Sequence, residues 1–232
     1  MARTDTLPHF LTDVADAIRT AEGSSDTITA SNFDTRIEAL SGGGGADLSD
    51  YFVTEYEGNP GVYLIKKMPD ITITDGWESV SSLFEGFGNI TEASVTFEDD
   101  ISGLTDMSMM CSSCGSLTTF TINGNYDFAE VTNISYIFDE GNSLEQLDLS
   151  KLHCSLENAE NAFNGCTSLE LLDVRNIDFT TLEAYDGMFG FDSESFNADC
   201  VIVVADSTQK DWVETNFDYL TGVVTVAEYE AE

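Results

Sequence analysis

Residues 104–117, LTDMSMMCSSCGSL, residues 131–144, VTNISYIFDEGNSL, and residues 156–169, LENAENAFNGCTSL, are three settings of one apolar frame. From each first residue, apolar or small side chains recur at +3, +6, +7 and +13. The sets are Met107, Met110, Cys111 and Leu117; Ile134, Ile137, Phe138 and Leu144; Ala159, Ala162, Phe163 and Leu169. A degenerate copy starts at Trp77 with Val80, Leu83, Phe84 and Ile90. A fifth starts at Leu182 with Tyr185, Met188 and Phe189 and slips by one residue before Phe196. Successive starts lie 27, 27, 25 and 26 residues apart.

The +0, +3, +6, +7 spacing predicts a short helix with four side chains on one face. From +13 the triplets Leu117, Phe120, Ile122; Leu144, Leu147, Leu149; and Leu169, Leu172, Val174 end in the alternation of a half-buried strand. Helix then strand at this period predicts an α/β leucine-rich-repeat solenoid of about five repeats over residues 77–204. No single repeat buries its own apolar face, so neighbours share a continuous core.

The composition narrows the function. With 43 acids against 8 Lys plus Arg, the net charge is -35. Nucleic-acid binding needs clustered basic residues, which the chain lacks, and an anionic membrane would repel it. The charge fits a solvated, mutually repelling surface or a cationic partner. No stretch reaches the roughly 20 apolar residues of a membrane span, so no membrane insertion is expected. The N-terminal MARTDTLPHFLTDVADAIRT carries acids where a signal peptide is apolar, which predicts a chain made in the cytoplasm. Five cysteines suggest no disulfide framework.

Ahead of the repeats, Leu7, Phe10, Leu11, Val14 and Ile18 form one helical stripe. Ile28, Phe33, Ile37 and Leu40 form a second after Thr29 as N-cap. This separate N-terminal helical hairpin, residues 1–41, has too little core to stand alone. It is expected to fold on a partner or on copies of itself, through those nine apolar residues. Residues 42–47 read as a glycine linker. Residues 48–76 read as a β-rich N-terminal cap: strands at 51–56 and 62–67 flank a turn at 57–61, with a third at Ile71 and Ile73. Residues 205–232 read as a small α/β C-terminal cap, with Asp206 N-capping a helix through Trp212 and Phe217, a strand at 223–226 and a frayed acidic tail.

Chemistry is sparse. Cys111 and Cys114 form a C-x-x-C, but both fall on frame positions, +7 and +10, the latter shared with Cys166; the two histidines, His9 and His153, stand in unrelated contexts. These thiols are expected in the core. Glu98, Asp99 and Asp100 could gather calcium, yet no calcium-loop pattern is present and a solvated loop is expected. Nucleophile elbows, phosphate loops and H-E-x-x-H are absent from the sequence. The expectation is therefore no catalytic, cofactor or metal site.

Two segments carry a resemblance. Met188-Phe189, Phe163-Asn164-Gly165-Cys166-Thr167-Ser168-Leu169 and Leu147-Asp148-Leu149-Ser150 resemble the BspA-like class of leucine-rich repeat. Leu104 to Ser108 and Val131 to Ser135 match that class's helix start. The stretch Leu11 to Arg19, followed by Gly23, Ile28, Phe33 and Ile37, is similar to a short module of phage tail, baseplate and fibre proteins. Together these resemblances imply a virion structural protein anchored to other virion proteins by residues 1–41. It would be a homo-oligomer, with trimers the usual fibre state, and would present its repeats to a host-surface glycan or protein. A head fibre or capsid decoration, and a bacterial cell-surface adhesin, stand as alternatives.

Overall fold

A computed structural model of the chain describes residues 52–53, 64–65, 71–73, 77–97, 101, 103–124 and 128–231. Chain contacts divide the protein into two compact units, Asp5–Pro69 and Met1–Thr4 with Asp70–Glu232. In the first unit, β1 (Phe52–Val53) and β2 (Leu64–Ile65) pair antiparallel; the turn expected at 57–61 lies outside the described residues. The helical stripes from Leu7 to Leu40 lie outside the described residues.

The second unit is a mostly-β repeat solenoid. One parallel sheet contains β3 (Ile71–Ile73), β4 (Glu92–Phe97) and β5 (Thr119–Asn123). Another contains β6 (Gln146–Asp148), β8 (Leu171–Asp173), β10 (Val201–Val204) and β11 (Val223–Thr225) in that spatial order. β3, grouped with the hairpin on sequence grounds, thus pairs with the repeats. Within strands, Ala93, Val95, Phe97, Phe120 and Ile122 are buried and alternate with partly or fully exposed neighbours, as the triplets predicted. A short extra ladder, β7 (Cys154–Ser155) with β9 (Ile177–Asp178), lines another side of the later coils.

The frame residues occupy the core: Leu104, Met107, Met110, Cys111, Leu117, Val131, Ile134, Ile137, Phe138 and Leu144 are fully buried. The expected helix, however, is absent from this arc in every coil. Its residues run instead through overlapping turns, in which Ile137 N–H donates to Ile134 O at 3.1 Å and Gly141 N–H to Phe138 O at 3.0 Å. The intervening N–H groups point along the solenoid to the next coil: Ile134 to Asn158 O at 2.9 Å, Tyr136 to Glu160 O at 2.9 Å, Phe138 to Ala162 O at 2.9 Å and Glu140 to Asn164 O at 2.8 Å. The coils before and after repeat the scheme. Main-chain groups along the arc therefore alternate between a bond within the turn and a bond to the neighbour, and burial of the arc leaves neither set orphaned.

Local residues explain the choice of turns over helix. At +2 stand Asp106, Asn133 and Asn158, whose side-chain oxygens accept the N–H two residues on, from Ser108, Ser135 and Glu160, each at 3.0 Å. Such side chains compete with helix by closing turns of their own. The same residues form a ladder between coils: Asn133 Nδ2 donates to Asp106 Oδ1, and Ser79 Oγ to Asp106 Oδ2, both at 3.0 Å. At +5 and +9 the backbone is left-handed in coil after coil, at Ser82, Gly86, Met109, Ser113, Tyr136, Glu140, Asn161 and Gly165. A right-handed helix has no place for these.

At the C-terminal side, α1 (Ser207–Asn216) starts at Asp206, which accepts from Thr208 and Gln209 N–H as expected of an N-cap. Gln209 is buried and clamps the preceding coil: its Oε1 accepts Phe179 N–H at 3.0 Å and its Nε2 donates to Asp178 Oδ1 at 2.9 Å. Trp212 stacks on Phe179 at 5.7 Å, and Phe217 meets Phe189 edge-on at 5.0 Å. The tail corrects the sequence reading. Rather than fraying, Val226–Tyr229 forms α2, opened by a capping box between Thr225 and Glu228. It is tied back by Glu228 to Lys210 at 3.1 Å and by Glu230 to Arg175 at 3.0 Å.

Candidate recognition surface

The outward side chains of the sheets fall at frame positions +15, +17 and +19. In β4 and β5 these are Glu92, Ser94 and Thr96, then Thr119, Thr121 and Asn123; none is buried. Register places Glu92 beside Thr119, Ser94 beside Thr121 and Thr96 beside Asn123. Apart from Glu92, the surface there is hydroxyl and amide in character. In β6 and β8 the middle position is acidic, with Asp148 directly opposite Asp173, while the flanking positions hold Gln146 and Ser150, then Leu171 and Arg175. Equivalent residues elsewhere on the coils follow suit. Thr118 N–H bonds to Thr91 O early, whereas Glu170 N–H bonds to Glu145 O and Glu183 N–H to Glu157 O later. Stacked like charges about 5 Å apart repel; Arg175 offsets this at Asp173, and solvent and salt screen the rest.

The basic side chains among the described residues, Lys151, Arg175 and Lys210, are each engaged. Arg175 forms a fork on Asp173, with Nη2 at 2.7 Å, and reaches Glu230. Hydrogen bonding to Asp173 pushes the guanidinium further toward its charged form. Lys151 Nζ donates to Ile122 O at 2.8 Å. The sheet face is left with net negative potential and no uncommitted cation among the described residues.

Groups that could do covalent or metal chemistry are drawn inward. All five cysteines are free and buried. Burial raises the Cys114, Cys154, Cys166 and Cys200 thiols to about 12, and Cys111 is also raised, first by burial. At neutral pH they are protonated and unreactive. Cys114 and Cys166, both at +10, donate to the +7 carbonyls of the previous coil, Phe84 at 2.9 Å and Phe138 at 3.3 Å. The C-x-x-C is thus core, as expected from the frame. Among the described residues, no group of three or more His, Cys, Asp or Glu is placed to hold a metal ion. His153 meets Asn176 at 3.2 Å on an exposed turn. Glu98, Asp99 and Asp100 lie outside the described residues, as do the nine nominated attachment residues, Leu7, Phe10, Leu11, Val14, Ile18, Ile28, Phe33, Ile37 and Leu40.

Residues 78–202 match the model of a family described as Mycoplasma protein of unknown function, DUF285. That segment is more than half of the 232 residues. The chain belongs to the DUF285 family. No curated protein and no solved structure matches it. The DUF285 segment begins one residue into the first coil and ends in β10, so family and repeat solenoid coincide.

Sequence reasoning missed the graded face. The signal was present, because Thr118 and Thr121 give way to Glu145 and Asp148 at equal frame positions. It also missed Asp139, where partial burial raises the carboxyl pKa despite a lowering bond from Asn164 Nδ2 at 2.8 Å. A raised carboxyl favours folding below its unfolded pKa, and that contribution is lost as pH rises through the folded value. Asp139→Asn, which keeps the acceptor for Asn164, is therefore expected to raise the melting temperature at pH 7 by about 1–3 °C. The gain should shrink toward zero on acidification to about pH 3; a gain independent of pH would mean that charge is not its cause.

Proposed function

We propose that this DUF285 chain is a phage virion structural protein of tail-fibre or baseplate type. Residues 1–41 attach it to other virion proteins and gather it into a homo-oligomer, a trimer by preference. The acidic solenoid then projects to a host-surface glycan or protein. One observation carries the reading: the thiols and apolar residues are enclosed in a hydrogen-bonded stack, and the outward positions of the early sheet are polar, with paired carboxylates at Asp148 and Asp173 in the later one. That arrangement suits display and recognition, and we read the role as non-enzymatic and without cofactor. The finer architecture belongs to the same proposal. The coils are read as a helix-free variant of the BspA-like leucine-rich repeat, with residues 48–76 as opening cap and α1, β11 and α2 as closing cap.

A second reading, a bacterial cell-surface adhesin, is favoured by the family's description as a Mycoplasma protein. Mass spectrometry of purified particles of a phage encoding the chain separates the two. Recovery in virions supports the first reading; recovery in the host envelope and absence from particles supports the second. The position of the label in particles imaged with antibody to the solenoid distinguishes tail fibre or baseplate from head fibre or capsid decoration. A chain lacking residues 1–41 is expected to keep the folded solenoid and to lose incorporation into particles. Retained incorporation would move the attachment site into the repeats.

A further inference from the structure

The two parallel sheets stop at the same place. β5 ends one and β6 begins the other, with no ladder between them, although they are consecutive strands of adjacent coils. Alternate residues of a parallel strand bond to opposite neighbours. The register of β5 on β4 and of β6 on β8 therefore turns Phe120 and Ile122 toward Gln146 and Asp148. Elsewhere the rung that opens each ladder is present, from Thr118 N–H to Thr91 O at 2.9 Å and from Glu170 N–H to Glu145 O at 2.8 Å.

Coil length changes at the break. Starts at Trp77, Leu104 and Val131 are 27 residues apart, whereas the next two intervals are 25 and 26. Strands contract at the same boundary, from six and five residues in β4 and β5 to three in β6 and β8. Coil length and strand length thus both change where the ladder stops. The turn side does keep its register: Met107, Met109, Cys111 and Ser113 N–H donate to Asn133, Ser135, Ile137 and Asp139 carbonyls at 2.8–2.9 Å across this boundary. On the sheet side the polar ties are Lys151 Nζ on Ile122 O at 2.8 Å and Ser143 Oγ on Gly115 O at 2.6 Å, beside edge-on ring contacts of Phe97 with Phe128 at 4.9 Å and Phe120 with Phe138 at 5.0 Å.

We propose that this boundary is a seam. The solenoid is two cooperative units, residues 71–124 and 128–231, joined by the turn stack as a hinge and latched on the sheet side by Lys151. Repeat arrays unfold as one body only while each interface outweighs the difference in stability between its repeats, and this interface lacks the strand ladder that joins β4 to β5 and β6 to β8. The unit after the seam carries the denser stacked carboxylates and is the one expected to open first at low salt.

Nature supplies a reporter on each side, since the chain has two tryptophans, Trp77 in the first coil and Trp212 on α1. In the full chain, Trp212→Phe leaves Trp77 as reporter and Trp77→Phe leaves Trp212. Urea midpoints from the two are expected to differ by about 0.5 M or more. Hydrogen exchange of the unsubstituted chain, followed under increasing urea, should show β4 with β5 and β8 with β10 opening at separate urea concentrations. Lys151→Met is expected to widen that separation. Coincident opening of all four strands in the unsubstituted chain overturns the two-unit proposal. An unchanged separation in Lys151→Met overturns the latch.

Discussion

Phe163→Ala is expected to cost about 3–5 kcal/mol, the usual range for deleting a fully buried ring. Phe163 has no exposed surface. Its ring lies nearly parallel to Phe138 at 6.4 Å and to Phe189 at 5.7 Å, with interplanar angles of 11° and 13°. The deletion removes the middle of a three-ring stack that runs along the solenoid axis. Neighbouring coils are fixed by main-chain bonds, such as Phe163 N–H to Met188 O at 2.8 Å, so the site cannot collapse by moving one coil toward the other. The cavity term should accordingly be large. Urea unfolding measures the loss, and a cost under about 1.5 kcal/mol would show that side chains around the site repack freely. Cys111→Phe provides the contrast. Cys111 occupies the position held by Phe in neighbouring coils, so the repeat pattern alone would favour restoring the ring. Phe120 already packs edge-to-face on Phe138 at 5.0 Å, on the side where a ring is missing from the stack. The added ring is expected to overpack and destabilise by about 1–3 kcal/mol.

Much of this core was legible because the frame records burial directly. Val80, Phe84, Met107, Ile134 and Leu169 are where their spacing put them. The conformation of the arc was not, for a physical reason. Three-residue turns stacked end to end bring +0, +3, +6 and +7 inward much as a helix does, so apolar spacing alone does not separate the two. The deciding residues are polar. Asp106, Asn133 and Asn158 close turns at +2, and glycine at Gly86 and Gly165 supplies left-handed backbone at +9. Read as helix starts, they point the wrong way; read as turn formers, they predict the observed arc. Asp206 was legible as an N-cap because the signal is local. The tail was not, because its order rests on Arg175 and Lys210, 55 and 18 residues distant in sequence from their Glu partners.

The surface follows the same division. Total charge is a property of composition, but its grading along the solenoid depends on which acids share a frame position. Asp148 beside Asp173, and Glu157 beside Glu183, become neighbours only through the coil register. A recognition face read from the sequence would be uniformly acidic. The folded face instead offers Thr119, Thr121 and Asn123 on β5 and the paired Asp148 and Asp173 on β6 and β8. A partner engaging it by hydrogen bonds, as a glycan does, and one engaging it by charge would dock on different coils.

Gly165→Ala tests the left-handed positions with the second large effect. Gly165 has φ +80°, and a Cβ there would stand 2.9 Å from Glu140 Cα and 3.1 Å from Glu140 N, main-chain atoms of the preceding coil. Backbone atoms cannot rotate aside as a side-chain tip can. Left-handed backbone costs a non-glycine residue about 1–2 kcal/mol, and the clash adds overpacking of about 1–3 kcal/mol; a loss of about 2–5 kcal/mol is expected. Gly86 isolates the first contribution. It holds the same +9 position at φ +76°, with nothing within 4 Å of a Cβ, so Gly86→Ala should cost only the conformational part, about 1–2 kcal/mol. Glu140→Gly isolates it in reverse. Glu140 tolerates φ +60°; glycine would relieve that strain but loosen the unfolded chain and delete the 2.9 Å bond from Ser113 Oγ. A net change within about 1 kcal/mol of zero is expected. Urea midpoints of the three variants give the ordering. Equal losses for Gly165→Ala and Gly86→Ala would mean that the coils separate to admit a methyl group, and that the spacing set by the turn-to-turn bonds is softer than their 2.7–2.8 Å lengths at Gly165 and Glu140 imply.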